Sequence, residues 1–114
     1  MEDRMRAASR LAGSSDPDDI RSGFEMIALI VSESDGGHGI EFGFIDNALF
    51  LARKYASSEN PGVRRAVVSS IVEIGRVSGS WLEAAAETAD EIYAQPSDNA
   101  RQVAGEARSK LDGR

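Results

Sequence analysis

The sequence has no cysteine, a single histidine, and no apolar run approaching the roughly 20 residues that cross a bilayer. Without cysteine there are no disulfides, thiolate nucleophiles or zinc–sulfur sites, which fits a cytoplasmic protein. With one histidine, a Ser–His dyad, a His–carboxylate base or a multi-histidine metal site has little to build on. Lacking a long apolar run, the chain is expected to have no membrane partner. The opening MEDRMRAASRLAG also lacks the apolar centre of a secretory leader. Arg4, Arg6 and Arg10 with Ser9 have something of a transit peptide, which Glu2 and Asp3 oppose. Positive charge is in short supply as well. A net charge of −6 and a pI near 4.7 oppose nonspecific attraction to nucleic acid or anionic lipid and favour a neutral or basic partner.

What is present is ordinary globular material. At 114 residues the chain is long enough for one core and too short for two, and its opening Met is what a complete protein would begin with. Hydrophobic residues at 41% against 28% charged ones can bury enough surface to fold, so disorder is not the expectation.

The clearest element is Asn60–Ser78, NPGVRRAVVSSIVEIGRVS. Asn60 can accept from the orphan N–H groups of a first helical turn, and Pro61 presets φ at the first helical position. At 100° per residue, Val63, Val67, Ser70, Ile74 and Val77 fall within about 40° of one line. Arg64, Arg65, Ser69 and Arg76 lie away from that line, but so do Val68 and Val72. Apolar residues on both sides suit a helix with several neighbours, or one whose outer ridge receives a partner.

Five more helices are expected around it. Met1, Met5, Ala8, Leu11 and Ala12 have helical spacing up to a stop at Gly13. Asp16 and Pro17 open a second segment with Ile20, Phe24, Ile27 and Val31 on one face. Three glycines in Asp35–Gly39 demand a turn, expected to be mobile. A helix over about 41–56 then carries Phe44, Ile45, Ala48, Leu49, Ala52 and Tyr55, with Phe42, Phe50 and Leu51 widening the stripe. Ser80, with Glu83 as a capping box, is expected to open a helix that buries Leu82, Ala85, Ala86, Ala89, Ile92 and Tyr93. Its other face, Glu83, Glu87, Asp90 and Glu91, reads as a solvated side. Pro96 leads a last helix with an inner line of Ala100, Val103, Ala104, Ala107 and Leu111.

Self-similarity joins these pieces. Leu11–Pro17 lies 44 residues before Tyr55–Pro61, and both run from a helix end through small polar residues to an acid or amide before proline. Beyond the prolines Ile20-Arg21, Val63-Arg64 and Ala100-Arg101 align, as do Phe24, Val67 and Ala104, then Val31, Ile74 and Leu111. The chain parses as three helix pairs over about 1–35, 40–78 and 80–114. A proline-led second helix with an apolar–Arg step and a closing Ile-Gly, here Asn60–Arg64 through Glu73-Ile74-Gly75, resembles the HEAT repeat of armadillo-type solenoids. The first unit has Ser32 where Gly75 stands, and the third replaces large core residues by alanine. The resemblance implies an all-α fold, a short right-handed α-solenoid of three HEAT-like pairs. It also implies a binding surface on the second helices, where Glu25, Leu29, Arg65, Val68, Val72, Arg76 and Gln102 form the candidate partner-binding set.

Chemistry of other kinds finds little support. Gly36–Gly39 lacks the Lys and Ser/Thr of a phosphate loop. Asp16, Asp18 and Asp19 are explained by the helix start they occupy, without a metal. No catalytic residue, metal or cofactor is expected. The sequence therefore reads as a non-enzymatic protein-binding module, of antitoxin or immunity type or an adaptor. A HEAT-like nucleic-acid binder or a small lyase-type enzyme is the alternative. On this reading His38→Ala leaves stability within about 0.5 kcal/mol, by urea denaturation, and leaves partner binding unchanged. Lost binding at unchanged stability would restore a ligand role for His38.

Overall fold

A computed structural model describes residues 2–113. Met1, expected on the inner line of the first helix, lies outside them. Six helices account for the described architecture: α1 (Glu2–Ala12), α2 (Pro17–Glu33), α3 (Phe42–Tyr55), α4 (Pro61–Val77), α5 (Gly79–Tyr93) and α6 (Asp98–Asp112). There is no strand among the described residues, so the fold is all-α. The second helix of each expected pair packs beside the next, α2 on α4 and α4 on α6, and the first helices α1, α3 and α5 follow one another likewise. The extents of 35 × 31 × 18 Å suit a slab two helices deep.

The start signals behave unevenly. Asn60 accepts from the N–H groups of Gly62 and Val63, with Pro61 directly after it, as its sequence demands. Asp16 occupies the N-cap of α2, but its side chain caps nothing. Ser80 is not a cap either. Ser78 takes that role, extended and accepting from the Trp81 N–H, so α4 passes into α5 through a single residue and no Ser–Glu box forms. Ser97 likewise caps α6 through the Ala100 N–H, leaving Pro96 ahead of the cap.

The core follows the expected inner lines: Phe24, Val67 and Ile74 are fully buried. Three aromatics are not where the apolar stripes put them. Phe42, Phe50 and Tyr93 are all well exposed, because α3 and α5 have neighbours below and beside them and none above. The glycine turn after α2 is also more tied than expected. The Gly37 N–H donates to Ser34 Oγ, and Gly37, at φ +87°, lies so close to the Trp81 ring that a Cβ would meet it at 2.8 Å.

Two helical glycines set helix approach. A Cβ on Gly23 would stand 2.2 Å from the backbone nitrogen of Ala12, so α1 rests on the bare backbone of α2. A Cβ on Gly75 would meet Leu111 at 2.4 Å and Ala85 at 3.2 Å, which gives the Ile-Gly ending of α4 a physical reason: α5 and α6 converge there. Gly105, by contrast, faces open space. The same substitution should therefore have opposite signs at two sites. Gly105→Ala gains about 0.8–1 kcal/mol of helix propensity. Gly23→Ala gains the same and loses more, because overpacking costs about 1–3 kcal/mol and a backbone atom cannot rotate away. Thermal unfolding should show a higher Tm for the first and a lower one for the second.

Candidate functional site

The expected binding strip runs along α2, α4 and α6, and its apolar centre is not on the surface. Val68 and Val72 are only 2% and 3% exposed. The reason is the position of α4, which packs against α2, α3, α5 and α6 and so needs apolar residues on more than its inner line. Leu29, which precedes Val72 by 43 residues, is 50% exposed, because α2 lies at the edge of its layer. Of the expected apolar centre, Leu29 is what remains accessible.

The structure does bring together four other members of the set. Arg65 and Gln102 line one hollow of about 170 Å³ on the seam between α4 and α6, with Pro61, Arg64, Val103 and Glu106. Val72 and Arg76 line a second of about 240 Å³ farther along the same seam, with Ser69, Glu73 and Lys110. Glu25 and Leu29 line neither, and the carboxylate of Glu25 stands 3.6 Å from Arg21 on its own helix.

The seam has a fixed end. Arg64 Nη1 donates to the Ser58 carbonyl at 2.7 Å, and Asn99 Nδ2 donates to the same oxygen at 3.4 Å, tying the starts of α4 and α6 to one turn. The preceding turn is held the same way, the Tyr55 hydroxyl donating to the Ser14 carbonyl at 3.0 Å across the same 41-residue separation. Ser14 Oγ and Ser58 Oγ accept from the N–H groups two residues on, Asp16 and Asn60. These bonds tie the half-buried Arg64 to the turn, whereas Arg65 beside it is exposed.

Charge along the seam runs against that of the whole chain. Arg64, Arg65, Arg76 and Lys110 line the two hollows against Glu73 and Glu106. Arg76 stands 3.5 Å from Glu73, while Arg65 and Lys110, both exposed, have no side-chain partner among the described residues. Lys110 escaped the expected set although the spacing that aligns Val63 with Ala100 places it opposite Glu73. No group of three or more His, Asp or Glu among the described residues is placed to hold a metal, and His38 is exposed on its turn. No family model, curated protein or solved structure matches the chain.

The geometry separates structural from uncommitted cations. Arg64→Ala should destabilise by about 1.5–3 kcal/mol, the range for a hydrogen bond to a charged group. Arg65→Ala and Lys110→Ala should stay within about 0.5 kcal/mol. Urea midpoints for the three variants check the contrast.

Proposed function

We propose that this protein is a non-enzymatic interaction module, a short HEAT-like solenoid of three helix pairs that binds another protein through its second-helix layer. The side-by-side order of α2, α4 and α6 supports the solenoid reading. So does the recurrence of the 44-residue spacing in buried positions: Met5 with Leu49, Ala8 with Ala52, and Ala12 with Ala56. The observation that carries the binding role is the α4–α6 seam, where two hollows and two unpaired cations lie on one layer with the half-exposed Leu29. Uncommitted charges are available to a partner without breaking anything in the fold, and Leu29 supplies an exposed large apolar side chain on the same helix layer.

Nucleic-acid binding is the second reading, favoured by the cation excess of the same seam. Protein and nucleic acid are distinguished by what the chain captures. Incubated with extract of its source cells, the immobilised chain should retain a protein whose recovery is insensitive to nuclease and falls about tenfold or more for Leu29→Asp. Circular dichroism must show that the variant is folded, and Leu29 is chosen because a charge at the buried Val72 would unfold the chain instead. Recovery of nucleic acid would reverse the ranking. If Glu87→Lys on α5 abolished capture while Leu29→Asp left it intact, the surface would belong to the other helix layer.

A further inference from the structure

We propose that the α4–α6 seam receives an extended acidic segment of the partner protein. One carboxylate sits at the Arg65 end, a second lies at the Arg76 and Lys110 end, and an uncharged spacer crosses Ser69 between them. The inference deepens the protein-binding reading and rests on it.

The cations are clustered, not continuous. Arg64 and Arg65 stand at the start of α4, Arg76 is near its end, and Lys110 lines the same hollow as Arg76. Between Arg65 and Arg76 the helix rises about 16 Å at 1.5 Å per residue. An extended peptide covers that distance in about five residues at 3.3 Å each. The middle of the path offers the exposed hydroxyl side chain of Ser69, Val72 being buried. Two positive ends and a neutral centre match two acids separated by a short spacer.

A nucleic-acid strand fits the same surface poorly. Its phosphates need a continuous line of positive charge, and here the cations fall at two ends with Ser69 between them. A short segment with two separated carboxylates matches that distribution. The net charge of −6, which taken alone favours a neutral or basic partner, acts at long range and is screened over about 8 Å at physiological salt. Contacts within the seam are set by the groups that line it, and a cation-lined groove suits an adaptor that takes an acidic tail better than a cover for a basic domain.

The probe is a short fluorescein-labelled peptide carrying two glutamates about five residues apart with small uncharged residues between them, a separation set by the extended rise. Fluorescence anisotropy on the full chain should show saturable binding that weakens as salt is raised. Arg65→Glu and Lys110→Glu should each lower the affinity about tenfold or more, as expected for charges that meet opposite charges. Arg10→Glu on α1 should leave it unchanged, and a peptide with adjacent glutamates should bind about tenfold more weakly. Absence of saturable binding, equal binding of the adjacent-glutamate peptide, indifference to Arg65→Glu, or tighter binding of a single-stranded oligonucleotide would each overturn the proposal. If the peptide fails while capture from extract still depends on Leu29, only the acidic segment falls. If both fail, the protein-binding reading falls with it.

Discussion

The rest of the structure depends on the burial of α4. It has neighbours on every side but one: α2 and α6 beside it, α3 and α5 beneath. A helix so placed cannot be amphipathic in the simple sense, and its sequence shows this in Val68, Ile71 and Val72, which are apolar away from the Val63 line. Each of those neighbours covers a part of α4 that water would otherwise reach, and each uses α4 to cover its own stripe. Gly75 is part of the same arrangement, since the convergence of Leu111 and Ala85 on it leaves no room for a side chain. What the α4 surface still shows to solvent is therefore mostly polar and charged, and the α4–α6 seam is made from it.

Much of this was legible in the residues. Helix number, order and approximate bounds follow from apolar spacing and from Pro17 and Pro61, and Phe24, Val67 and Ile74 sit on the inner lines that their spacing assigns. The errors have physical causes. Periodicity shows that Val68 and Val72 are apolar but not whether a helix or a partner covers them, and the lateral packing of α2 and α6 on α4 decides the matter. Phe42, Phe50 and Tyr93 extend the apolar stripes of α3 and α5 in sequence, whereas their helices have no layer above them. Ser78 and Ser80 are equally good caps by composition, and the extended backbone at Ser78 selects between them.

The candidate site was legible in part for a related reason. Arg65, Val72, Arg76 and Gln102 were placed together by register, a one-dimensional property that the parallel second helices preserve. Lys110 needed the same register carried one turn farther. The commitment of Arg64 could not be read, because it depends on a carbonyl, Ser58 O, whose direction is set by the turn and not by any side chain.

The two ends of the second-helix layer are set by different residues. Where α2, α4 and α6 begin, directional hydrogen bonds from Tyr55, Arg64 and Asn99 to turn carbonyls fix the spacing. Where α4 ends, Leu111 and Ala85 both close on the bare backbone of Gly75. A side chain at that one position would have to push α6 sideways and α5 downward together, so a single missing Cβ sets the distance both within the layer and between the layers.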